Sequence, residues 1–94
     1  MAVEFDPKGD CFSFGIPNGT WFAVLKETAV GDVLGRNYLN DSIDATEEKA
    51  LQCAEALKSW MPPGNWYFGY SPDKDEILPM MIEFFTKCQG FTTH

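Results

Sequence analysis

The amino-acid sequence predicts an α+β fold, mainly helical, with two or three helices packed on a small antiparallel sheet. Three observations carry this expectation. Residues 45–60 and 75–89 repeat apolar side chains at helical spacing, and such stretches bury one face against a second layer. Residues 11–16 and 65–70 are short aromatic runs, which suit a half-buried pleated surface. The chain has 94 residues, 45% hydrophobic and 15% aromatic, enough for one packed domain over 1–94 that buries roughly 60–65% of its unfolded surface.

The elements follow in chain order. Cys11–Ile16 reads as a strand with Phe12, Phe14 and Ile16 on one side. The next stretch has two readings. Asn18-Gly19 is a hairpin turn signal, which would pair Ile16 with Trp21 and Phe14 with Ala23. Residues 20–30 also fit a helix, with Trp21, Phe22, Val24, Leu25 and Ala29 on one face, capped by Thr20 or Asn18 and ended by Gly31. As a strand this run would be apolar on both faces, which favours the helix. Residues 32–43 form an irregular connection with a short strand at Tyr38-Leu39.

The clearest element is the helix over 45–60. Asp44 begins it and Glu47 stands three residues on, an aspartate version of the capping box. Ala50, Leu51, Ala54, Leu57 and Met61 form its apolar stripe, and Glu47, Glu48, Gln52, Glu55 and Ser59 its polar face. Pro62-Pro63-Gly64 stops it, because proline can neither donate nor continue the turn. Asn65–Tyr70 follows as an aromatic strand or loop.

The second helix covers 75–89, with Ile77, Met81, Phe84 and Cys88 as its stripe, widened by Leu78, Met80 and Phe85. Pro79 is best tolerated in a first turn, which would start the regular helix near 78. Gly90 supplies a left-handed cap, and Phe91–His94 makes a last short strand beside the first.

The formal net charge is −7. Residues 1–48 hold nine acidic and three basic side chains; residues 49–94 hold five and four. Phosphate backbones and anionic membranes are bound by clustered Lys and Arg, and this chain has one Arg. Direct nucleic-acid binding and membrane binding are therefore not expected. A basic protein partner fits the charge, since opposite fields speed encounter; the plainer reading is that the charge only maintains solubility.

Cys11, Cys53 and Cys88 are odd in number and far apart, and His94 is the sole histidine. Structural zinc sites need about four Cys/His ligands at close spacing, so neither zinc nor a disulfide scaffold is expected. Met1–Asp6 lacks the basic start and apolar run of a signal peptide, and no run approaches the ~18 apolar residues of a membrane span. The expected location is the cytoplasm, with reduced thiols.

No residue set forms an enzyme signature. Cys53 and Cys88 lie on or beside helix stripes, where a thiol behaves as a small hydrophobe. Asn40–Asp44 superficially resembles a calcium loop but lacks its sixth-position glycine and twelfth-position glutamate. Residues Gly31–Arg36 lack both the Walker lysine and the dinucleotide spacing. No catalytic residue, metal or cofactor is therefore expected.

Three stretches carry a resemblance: Trp21-Phe22-Ala23-Val24-Leu25, Asn40-Asp41 through Ala54-Glu55-Ala56-Leu57, and Phe84 through Gly90-Phe91. With these the chain resembles a loose group of small bacterial proteins without an assigned activity, which place Gly-Gly before the last Phe where this chain has Gln89-Gly90. The resemblance implies a helix at 20–30 and no reaction.

The function expected from the residues is a non-enzymatic protein-binding module that occludes a basic partner, the type of small acidic bacterial or phage protein that neutralises a nuclease or toxin. Its contacts would be Asp41, Asp44, Glu47 and Glu48 with Trp66, Tyr67 and Tyr70, since Trp and Tyr are enriched at binding hot spots. The competing reading of these aromatics is core, because so small a domain needs its rings inside. Two alternatives stand beside this function: a small-molecule binder or enzyme with an aromatic pocket, and a homo-oligomer formed through the aromatic face.

Overall fold

The computed structural model describes residues 2–35, 42–64, 66–67 and 74–94. Its elements run β1 (Ala2–Pro7), β2 (Phe14–Pro17), α1 (Asn18–Glu27), α2 (Val30–Leu34), β3 (Asp44–Ala45), α3 (Glu47–Lys58), α4 (Lys74–Lys87) and β4 (Phe91–Thr93). The strands form one antiparallel sheet in the order β2-β1-β4-β3. The expected α+β class with helices on a small antiparallel sheet is what the chain adopts.

The sheet holds two of the expected strands, the first shifted to Phe14–Pro17 and the last at Phe91–Thr93, together with β1 and β3, which were not expected. β1, for which the sequence reading offers no element, is an inner strand, and its burial alternates: Val3 and Phe5 inward, Ala2 and Glu4 outward. β2 begins at Phe14, so Cys11–Ser13 precede it. Trp66 and Tyr67 belong to no strand, and 68–70 lie outside the described residues. β4 does return to the sheet, but beside β1 and β3 and not beside the strand expected at 11–16, with Phe5 opposite Thr93 and Pro7 opposite Phe91.

Strand alternation puts Val3, Phe5, Phe14, Ile16, Ala45, Phe91 and Thr93 on one face of the sheet. Phe5 is its hub. Its ring stacks on Phe14 at 4.7 Å and meets Trp21 edge-on at 4.9 Å, with Phe84, Phe85 and Phe91 about it. Aromatic pairs of these geometries add roughly 0.5–1.5 kcal/mol each beyond the area they bury. The opposite face is open. Ala2, Glu4, Gly15 and Asp44 are exposed there, and Asp6 and Thr92 half-buried.

Residues 18–27 are helical, which settles the choice against a hairpin. Asn18-Gly19 forms the first turn, and neither Asn18 nor Thr20 caps it; the N-cap position is Pro17. The buried set is Thr20, Trp21, Val24 and Leu25, while Ala29 is exposed. Thr28, not Gly31, ends α1. Its hydroxyl donates to Val24 O at 2.8 Å and accepts from Val30 N at 3.1 Å, closing one helix and opening the next. The connection expected over 32–43 therefore begins with helix α2; the strand expected at Tyr38-Leu39 lies outside the described residues.

α3 starts two residues later than the capping-box reading requires. Thr46, not Asp44, is the N-cap, accepting from Lys49 N at 3.2 Å. A side-chain oxygen there satisfies an amide that has no partner within the helix. Its core row is Ala50, Cys53, Ala54 and Leu57. Leu51 and Met61, expected in the stripe, are 44% and 89% exposed.

The stripe of α4 is as expected: Ile77, Met81, Phe84 and Cys88 are fully buried, with Phe85 beside them. The helix nevertheless starts at Lys74, so Pro79 is its sixth residue and omits one backbone hydrogen bond. After Lys87 the left-handed turn begins at Gln89 (φ 60°) and continues through Gly90 (φ 98°). A Cβ on Gly90 would lie 2.8 Å from Ala45 O, so this turn presses directly on β3.

Candidate functional surface

The acidic residues expected to meet a partner fall on and beside β3. Asp44 lies on the open sheet face, where the register aligns it across Thr92 with Asp6. It forms an ion pair with Lys8. Asp6 in turn faces His94, with 3.4 Å between Oδ2 and Nδ1. Glu4 shares this face, and its carboxylate folds over Gly15, where a Cβ would stand 2.6 Å from it. Glu47 and Glu48 follow in the first turn of α3, both exposed. The positive end of the helix dipole favours carboxylates there. Among the described residues Glu4, Glu47 and Glu48 have no ion-pair partner. Asp41 lies outside the described residues.

Two of the three aromatic contacts expected, Trp66 and Tyr67, are buried instead. Trp66 and Tyr67 are only 6% and 7% exposed, so neither ring is available to a partner. Two reciprocal bonds hold Trp66 on α1: its indole Nε1 donates to Thr20 O at 3.0 Å, and the Thr20 hydroxyl donates to Trp66 O at 3.1 Å. Trp60 packs edge-on against it at 5.1 Å. The Trp66 ring is inside because its indole N–H finds a backbone partner there, which removes the usual penalty for burying it. Tyr70 lies outside the described residues.

Among the described residues, concavities flank the helices at two places. One, about 370 Å³, lies where α1 meets the segment after α3 and is lined by Pro17, Thr20, Ala23, Glu27, Pro63 and Trp66, among others. The other, about 570 Å³, is a shallow groove between α2 and α3. Glu48, Gln52 and Ala56 make one i, i+4 row along α3, and Leu51 and Glu55 the next. Ala29 and Val33 complete the groove from the α2 side. Sequence reasoning missed it because Leu51 was assigned to the core stripe. The residue sits one position beyond buried Ala50, and only where α4 packs on α3 decides such a position.

The thiols of Cys53 and Cys88 are poor nucleophiles. Burial pushes Cys53 up to about 12, with nearby Cys88 adding to the effect. Cys88 is raised as well, chiefly by burial, and lies 3.8 Å from Phe85 O. A protonated thiol attacks slowly, since the thiolate is the reactive form. Among the described residues no group of three or more His, Cys, Asp or Glu side chains could hold a metal ion, and no helix is long and apolar enough to cross a membrane. Comparison with family models, with curated proteins and with solved structures finds no match to this chain.

Proposed function

We propose that this chain is a non-enzymatic protein-binding module whose acidic surface occludes a basic partner, as an inhibitor or immunity-type protein does. The observation that supports this reading best is the run from Asp44 through Glu47 and Glu48. It ends on two exposed carboxylates that no cation within the described residues neutralises. Unpaired surface charge of one sign steers an oppositely charged partner and weakens with added salt. The cytoplasm is the compartment that suits three unpaired cysteines.

An aromatic small-molecule pocket has less support. The cleft beside Trp66 is the place for it, but the Thr20 hydroxyl and the Trp66 indole N–H already bond to backbone carbonyls. Among the described residues Glu27 is the one charged side chain in its lining.

The test is capture of a protein partner from cells at low and at high salt, followed by charge reversal. Glu47→Lys with Glu48→Lys should abolish capture. Glu76→Lys with Glu83→Lys, the same change in net charge on α4, should leave most of it. Equal losses from both pairs would mean that only net charge matters and that the α3 surface is not the contact. Capture that survives high salt would remove the electrostatic basis of the reading.

A further inference from the structure

The groove between α2 and α3 combines features that an ordinary solvated helix face does not need. Leu51 is 44% exposed in the middle of the polar face of α3. Ala29, Val33 and Ala56 extend the apolar floor around it. Among the described residues the charged side chains in the lining are Glu48 and Glu55, with no lysine or arginine beside them. Lys58 is held against Glu55 at 3.0 Å, and among the described residues Glu48 has no ion-pair partner.

We infer that this groove seats a segment of a partner protein that presents an apolar side chain flanked by lysine or arginine. The inference rests on the protein-binding reading above and supplies its anchor. The apolar floor takes up the partner's aliphatic or aromatic side chain, which gains from leaving water. Glu48 accepts a hydrogen bond from the flanking cation at the rim. An acidic segment or a phosphate chain meets like charge here. A second copy of this chain, related by a twofold axis, brings another Glu48 and Glu55 to the same rim, and like charges so placed repel. Hot spots are commonly one large side chain in a small apolar depression ringed by polar groups, and Leu51 with its neighbours forms such a depression.

The experiment uses the full chain, labelled with nitrogen-15, and two synthetic helical peptides. One carries Leu and Lys at i, i+4 spacing; the other has Glu in place of Lys. Binding of the Leu/Lys peptide should shift the amides of Ala29, Val33, Leu51, Gln52 and Ala56. Leu51→Ala should weaken it about 10-fold, the scale of a hot-spot truncation. Glu48→Gln should weaken it severalfold and flatten its salt dependence. Leu51 is exposed, so the variant keeps the amide dispersion of the parent chain, which the same spectra verify.

Shifts confined to Glu4, Asp6, Asp44 and Glu47, with Leu51→Ala binding as before, would overturn the groove while leaving the acidic-surface reading intact. Equal binding of the Glu peptide in the groove would overturn the charge preference. The absence of binding by either peptide would overturn the inference. A dimer of the chain alone that Leu51→Ala dissolves would name a second copy as the occupant and overturn it too.

Discussion

Replacing Gly90 by alanine tests how β3, and with it the acidic edge, is held in place. Two costs add at this position. At φ 98° an alanine carries backbone strain, typically ~1–3 kcal/mol for a side chain held in a region that only glycine populates freely. The new Cβ would also lie 2.8 Å from Ala45 O and 3.3 Å from Glu47 N. A backbone carbonyl cannot swing aside as a lysine tip can, so β3 must shift, and overpacking of this kind costs about 1–3 kcal/mol more. Gly35 provides the control. Its φ is 96° with ψ 149°, and a Cβ there meets none of the described residues within 4 Å, so Gly35→Ala carries the strain without the collision. The expected result is that Gly90→Ala loses about 1–3 kcal/mol more stability than Gly35→Ala. In a domain of this size 1 kcal/mol is roughly 4–8 °C in Tm, so the two melting curves should separate by at least roughly 4 °C. Urea titration followed by tryptophan fluorescence gives the free energies, and amide shifts at Ala45 and Glu47 should mark Gly90→Ala alone. Equal losses in the two variants would refute the close approach of the β4 turn to β3.

Other expectations follow from the same contacts. Thr20→Val should cost about 1–3 kcal/mol in urea unfolding, because it leaves the buried Trp66 carbonyl without its hydroxyl donor; Ser at the same position should recover most of that. Thr46→Ala should cost ~1 kcal/mol through loss of the cap on Lys49 N, read from the same titration. Stability should also fall in alkali. Cys53 is raised in the folded protein from about 9 to about 12, so the unfolded chain releases this proton first, and the stability present below pH 9 is lost as pH rises toward 12. Cys53→Ala should flatten that loss in unfolding midpoints measured from pH 8 to 11. Alkylation of the folded chain near pH 8 should modify half-buried Cys11 before Cys53 and Cys88; earlier labelling of Cys53 would contradict its burial.

The two long helices were legible in the sequence because their signal is local. Ile77, Met81, Phe84 and Cys88 recur at a spacing that only a helix gathers on one face, and all four are buried. The acidic composition and its concentration in the first half are likewise properties of the chain alone. The helix at 18–27 was decided by a comparison of faces, since Trp21, Val24 and Leu25 find one common core only when wound. What the sequence did not disclose depends on partners distant along the chain. β1 alternates over too few residues to announce itself, yet it becomes an inner strand because β4, more than eighty residues away, pairs with it. Asp44 has the makings of a helix cap, but pairing of β3 with β4 draws it into the sheet and leaves Thr46 to cap. Trp66 and Tyr67 have the composition of a binding surface, but α1 offers Thr20 as a hydrogen-bond partner and takes Trp66 inside. Leu51 has the composition of core, and the packing of α3 on α4 through Ala50, Cys53, Ala54 and Leu57 leaves it in the groove. Periodicity determines which faces of an element are apolar; which of those faces is buried is settled only when the other elements arrive.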